Sequence, residues 1–143
     1  MDQIQSKPTF LFWIISGFAT LWNIFGVMAY LGQAYMTDEM MSGLSEAEQL
    51  YYSNLPSWVV SAFALAVFAG FFGCFGLFLR KKWAFYLFNL SFLALLVQTY
   101  YNFFVQNYIE IQGPKIILPF ITFLVAIFLI YFSKSKIKSG VLR

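Results

Sequence analysis

Charge is absent from four long stretches of this chain, and those stretches organise everything else. The first lies between Lys7 and Asp38, the second between Glu48 and Arg80. The third lies between Lys82 and Glu110, the fourth between Lys115 and Lys134. A helix needs about 20 apolar residues to cross a hydrocarbon core of about 30 Å. The first three runs are ample, and the fourth suffices with little tilt. The pattern predicts helices over about 9–36, 57–79, 83–106 and 116–133. A β-barrel is excluded, because its strands need short segments of alternating polarity. A cleaved signal peptide fits poorly. The start carries one acid and one base, and the apolar run after it is too long.

Between the first two spans the chain turns polar. Ser45-Glu46-Ala47-Glu48 has the capping-box pattern, in which a serine hydroxyl and a glutamate carboxylate satisfy each other's free backbone N–H groups. A short helix is expected to start there and stop before Asn54-Leu55-Pro56, within an outer loop of residues 37–56. Arg80-Lys81-Lys82 is so short a link that the second and third spans must be antiparallel neighbours. Gly113-Pro114 marks a turn before the fourth. The basic tail after Ser133 is expected to be loose and to lie against anionic lipid.

Composition agrees. The chain of 143 residues is 61% hydrophobic and 10% charged, where a soluble domain carries about 25% charged residues. It is long enough for one domain. The net charge of +3 matters through its placement. Lys7, Arg80, Lys81, Lys82, Lys134, Lys136, Lys138 and Arg143 all fall on one side of the predicted topology, and only Lys115 on the other. The positive-inside rule then puts both termini in the cytoplasm. The expected fold is an all-α, up-down four-helix membrane bundle, with lipid as its main partner.

What is missing narrows the function. There is no histidine, which removes the commonest general base and metal ligand. One cysteine, Cys74, permits no intrachain disulfide. No Asp, Glu, Lys or Arg lies inside a span, whereas proton-coupled pumps place acids there. Paired carboxylates, phosphate loops and metal-ligand clusters are all absent from the sequence. No enzyme activity, cofactor, metal site or nucleic-acid partner is expected.

Two sets of residues remain as candidates. Ala62, Ala66, Gly70 and Cys74 recur every four residues, and Gly73 and Gly76 widen the stripe. Small residues let backbones approach closely in lipid, so the stripe is either packing inside one bundle or a dimer interface. The second set is polar. Ser16, Thr20, Asn23 and Tyr30 share a broad face of the first helix; Ser91, Gln98, Tyr101 and Asn102 share one of the third. At 1.5 Å per residue, Asn23 and Gln98 both lie about 20 Å from the basic surface and are expected to meet. Asn89 is expected to face elsewhere. Interhelical hydrogen bonding, worth about 0.6–2 kcal/mol per contact, accounts for such a layer. So does a cavity for a neutral polar solute such as a sugar, lined by Asn23, Tyr30, Gln98, Tyr101 and Asn102.

Several segments taken together carry a likeness: Leu21-Trp22-Asn23-Ile24-Phe25-Gly26-Val27-Met28-Ala29-Tyr30, Gln33-Ala34-Tyr35-Met36-Thr37, Arg80-Lys81-Lys82-Trp83-Ala84 and Tyr101-Asn102-Phe103-Phe104. The chain resembles a group of small bacterial four-helix membrane proteins often labelled sugar transporter or hypothetical membrane protein. The resemblance implies a four-span topology, a bacterial inner membrane and a solute carrier, and it brings no assigned site residues. Two readings stand: a carrier or binding protein for a neutral solute, working as a homodimer or with partner helices, and a non-transporting accessory subunit of a larger membrane complex.

Overall fold

A computed structural model of the chain describes residues 7–110 and 112–143. Four helices are long and apolar enough to cross a membrane: α1 (Phe10–Ala34), α4 (Ser57–Phe78), α5 (Trp83–Tyr100) and α6 (Ile117–Lys138). Two short helices, α2 (Asp38–Ser42) and α3 (Glu46–Ser53), join the first pair of long ones. No strand occurs among the described residues.

The helix starts follow local chemistry. Thr9 caps α1, its hydroxyl accepting from the Phe12 N–H at 3.2 Å. Thr37 caps α2 in the same way through Met40, a helix the sequence reading does not anticipate. Ser45 and Glu48 form the full capping box of α3. Pro56 precedes α4, where a missing N–H loses no bond. Pro119 lies in the first turn of α6 for the same reason.

The helix ends are less regular. α4 stops at a tight turn in which Lys81 N–H bonds Gly76 O at 2.9 Å and Arg80 adopts φ 56°. That left-handed conformation usually belongs to glycine. α5 does not continue as regular helix toward residue 106. It ends in a π-helical turn, Tyr101–Val105, closed by Gln106 N–H to Tyr101 O at 3.0 Å. A single 3-10 turn, Gly113–Ile116, leads into α6.

α6 runs one turn past the predicted boundary at 133, because Lys134, Lys136 and Lys138 extend beyond its apolar run without breaking it. The Lys136 ammonium lies 5.5 Å from the Phe132 ring centroid, so its stem covers apolar surface while its charge stays at the end. The tail is not loose. Gly140 (φ 80°) reverses the chain, and Val141 and Leu142 are 4% and 1% exposed. Arg143 N–H bonds Arg80 O at 2.9 Å, Lys82 N–H bonds Arg143 O at 3.0 Å, and Arg80 Nε donates to Val141 O at 3.0 Å. Two apolar side chains in a basic tail suffice to bury it, which outweighs attraction to a charged surface.

α4 packs along α1 on one side and α5 on the other, and α6 packs on α5. The small-residue stripe makes this possible. A Cβ at Gly73 would stand 2.6 Å from the Phe88 ring, and one at Gly76 would stand 2.7 Å from Trp83. Ala62, Ala66, Gly70, Gly73 and Cys74 are all buried by the chain's own helices. The stripe therefore lies in the packed interior of this chain. The tightest core lies at the basic end, where Phe12, Leu77, Phe88, Phe132 and Leu142 converge. There α1 meets α6 through the stacked rings of Phe12 and Phe132, 5.8 Å apart. The two helices do not pack along the rest of their length.

Candidate functional site: a cavity among the four long helices

Because α1 and α6 part above Phe12 and Phe132, a space opens between them. It is a cavity of about 510 Å³ with walls from all four long helices, within the about 300–1,000 Å³ typical of small-ligand sites. α1 contributes Trp22, Asn23 and Gly26; α4 contributes Phe63, Ala66 and Gly70. α5 contributes Ser91, Leu95, Gln98, Thr99 and Asn102. α6 contributes Leu118, Pro119, Thr122 and Val125 among others. Most of the wall is apolar, and none of the lining residues is ionisable.

The polar groups differ in how they are satisfied. Asn23 does not reach Gln98. Its Nδ2 donates to Ala19 O at 2.8 Å and to Cys74 Sγ at 3.4 Å, and its Oδ1 accepts no hydrogen bond among the described residues. That oxygen stands directly over Gly70, where a methyl group would displace it. Ser91 Oγ donates across the helix pair to Ala66 O at 2.6 Å. Thr122 Oγ bonds back to Leu118 O at 2.8 Å. Gln98 and Thr99 make no side-chain hydrogen bond among the described residues. Asn89 bonds Phe85 O and stands outside the cavity, as expected.

Asn102 stands at the far end of the cavity. Its Oδ1 accepts from the Tyr51 hydroxyl at 2.6 Å, tying α3 across the π turn that follows α5, and its Nδ2 makes no hydrogen bond among the described residues. Tyr51 is held in a ring cluster with Tyr101 (6.3 Å), and Tyr101 packs edge-on against Trp58 (5.7 Å). Burial, helped by the neighbouring Tyr52 and Tyr101 phenols, pushes the Tyr51 hydroxyl up to about 12. It therefore stays a neutral donor at any physiological pH. Below this cluster Gln106, buried, satisfies all of its amide: Nε2 donates to Asn102 O and Ile109 O, and Oε1 accepts from Tyr108 and Ile109 N–H. This one side chain shapes the loop that follows the π turn. A smaller, polar space of about 310 Å³ opens there and shares Asn102 with the large cavity.

Of the five residues the sequence nominates, Asn23, Gln98 and Asn102 line the cavity together. Tyr30 does not; it packs edge-on against Phe63 and Phe68 of α4, outside the wall. Tyr101 does not either; it is 3% exposed and points into the Trp58 cluster. Both are aromatic rings that found apolar partners, despite sharing a broad face with the amides. A narrower test separates them. Ser91, Leu95, Gln98 and Asn102 step by four, three and four residues along one line of α5, and Tyr101 falls off it. Thr122 was also findable, as the one threonine in the fourth apolar run. Trp22 and Pro119 carry no such signal. No group of three His, Cys, Asp or Glu side chains comes together among the described residues.

Compared with known protein families, curated proteins and solved structures, the chain matches none of them.

Proposed function

We propose that this chain is a multi-pass protein of a bacterial inner membrane that holds a small neutral solute between its four spans. The observation that carries this reading is the cavity itself. All four long helices wall it, amide and hydroxyl groups project into it, and no ionisable side chain does. An unpaired amide such as that of Gln98 is costly in a low-dielectric interior, and a ligand's hydroxyl or carbonyl would remove that cost. The absence of charge in the wall argues for a neutral solute over an ion. Both termini and the Arg80–Lys82 turn would face the cytoplasm by the positive-inside rule.

The role is binding or carriage, and not catalysis. In the conformation described, Val141 and Leu142 fill the basic end, so passage of a solute would need the tail to leave. The accessory-subunit reading draws on α2 and α3, which present Asp38, Glu39 and Glu46 at the surface. Native mass spectrometry after gentle extraction from the source membrane separates the two. A small-molecule adduct on the wild type that is lost in Gln98→Leu, with unchanged melting temperature, supports the solute site. A stoichiometric second subunit with no adduct makes the accessory role the answer.

A further inference from the structure

The cavity has three potential routes of access, and two are obstructed. At the basic end, Val141 and Leu142 are buried in the core and the tail is pinned to Arg80 and Lys82. At the acidic end, the Tyr51–Asn102 bond and the Gln106-centred loop tie α3 and the α5–α6 link across the mouth. The side between α1 and α6 remains. There Phe25 and Leu118, both in the cavity wall, are 68% and 64% exposed. In a bilayer this opening faces hydrocarbon, so whatever enters must already be dissolved in the membrane.

The wall says what such a molecule looks like. Among the described residues the unpaired polar groups of the wall are the Trp22 indole N–H and the Asn23 Oδ1 acceptor on α1, and the Gln98 amide, the Thr99 hydroxyl and the Asn102 Nδ2 donor on and just after α5. A hydroxyl donates once and accepts, so one hydroxyl head can bond the Gln98 amide and the Asn102 Nδ2 one turn further along the same line, while Asn23 lies two turns away beside Gly70 and Ser91. A charged headgroup would find no counter-ion in the wall. A free sugar carries more hydroxyls than these side chains can satisfy, and would leave several against Phe63, Leu95 and Val125.

We infer that the cavity takes a neutral amphiphile from the bilayer, an apolar body with a single hydroxyl-type head, through the gap between α1 and α6. This deepens the solute-site reading and rests on it. The head bonds Gln98 and the Asn102 Nδ2 beside it; the body lies along Trp22, Phe63 and Leu95.

The test places the full chain in phosphatidylcholine vesicles with one of two probes. One is a hexadecanol bearing a mid-chain diazirine; the other is the matching hexadecane. After illumination, labelled peptides are mapped. The alkanol is expected to label Trp22, Leu95 and Thr122 about threefold to tenfold more than the alkane, the range one net hydrogen bond gives. Gln98→Leu should erase that preference, while labelling of the lipid-facing Tyr86 stays equal for both probes. Filling the cavity with Ala126→Phe should lower both. Equal labelling of the wall by the two probes overturns the inference, since the gap is then only a groove for lipid tails. An unlabelled wall overturns it too. Equilibrium dialysis with radiolabelled glucose on the same preparation then decides the rest. Glucose binding that Gln98→Leu abolishes leaves the solute site standing without its membrane-dissolved ligand, and no binding of either probe removes both.

Discussion

Gly73 and Gly17 occupy helices of the same kind and face opposite demands. A methyl group at Gly73 would stand 2.6 and 2.8 Å from two atoms of the Phe88 ring, which is itself 2% exposed and has nowhere to go. At Gly17 nothing lies within 4 Å. Gly73→Ala should therefore destabilise the protein by about 1–3 kcal/mol through overpacking. Gly17→Ala should be neutral, or stabilising by up to about 1 kcal/mol from the backbone entropy it removes. Thermal unfolding of the two variants in one detergent checks the contrast, and equal melting temperatures would refute the close α4–α5 contact. Tyr51 makes a second residue-level prediction. Its folded pKa of about 12 lies above the ordinary 10, so the fold favours the neutral phenol. The stabilisation is complete below pH 10 and is lost as pH rises through about 12. Subtracting the 295 nm titration of Tyr51→Phe from that of the wild type should reveal one tyrosine ionising near 12, with α3 becoming protease-sensitive over the same range. A difference curve centred near 10 would mean that the Tyr51–Asn102 tie is not maintained.

Among the elements, the ones written in local sequence are the ones the sequence reading places well. Four uncharged runs are four long helices, and Ser45 with Glu48 caps a short one, because span length and capping depend on neighbours in the chain. Elements decided by distant contacts escape it. Nothing in Tyr101–Val105 itself specifies a π turn; the Gln106 amide and the Tyr51 tie stabilise it from outside. The site divides the same way. Asn23, Gln98 and Asn102 are legible as polar residues that lipid would reject. Tyr30 and Tyr101 mislead because an aromatic ring can satisfy its surroundings either way. The tail is the clearest case. Its charges argue for a surface, yet Val141 and Leu142 decide its place. Leu142→Ala should therefore cost about 2–5 kcal/mol, the range for a fully buried leucine. Arg80 is coupled to the same seal. Its φ of 56° suits glycine, while its Nε holds Val141 O. Arg80→Ala keeps the backbone strain and loses the side-chain bond to Val141 O, whereas Arg80→Gly loses that bond and relieves the strain. The alanine variant should be the less stable by about 1 kcal/mol. Hydrogen exchange at Val141–Arg143 reads both effects, and fast exchange already in the wild type would refute the seal.

Across the whole molecule, charge and packing are polarised along one axis. The end with Arg80–Lys82, Lys134, Lys136, Lys138 and Arg143 is also the end with the densest core and the folded-back tail. The opposite end carries Asp38, Glu39, Glu46, Glu48 and Glu110, with Lys115 as its base. Basic residues close to span ends resist translocation, so this polarity sets the proposed orientation, with the sealed end toward the cytoplasm. Cys74 is fully buried, so a Cys74→Ala background gives a clean test. In that background, Glu46→Cys should react with a membrane-impermeant maleimide on intact cells. Ser139→Cys should react only after permeabilisation. The reverse pattern would invert the topology and place the sealed end outside. The side opening between α1 and α6 is indifferent to that choice, since it faces lipid in either orientation. The orientation instead decides what the tail could do. Facing the cytoplasm, Val141 and Leu142 close the core that holds Phe12, Cys74, Leu77, Phe88 and Phe132, so loss of the seal in Leu142→Ala would open that core on the cytoplasmic side. The native Cys74, buried in that same core, should then gain reactivity in Leu142→Ala toward maleimide delivered to inside-out vesicles, and not toward maleimide added to intact cells.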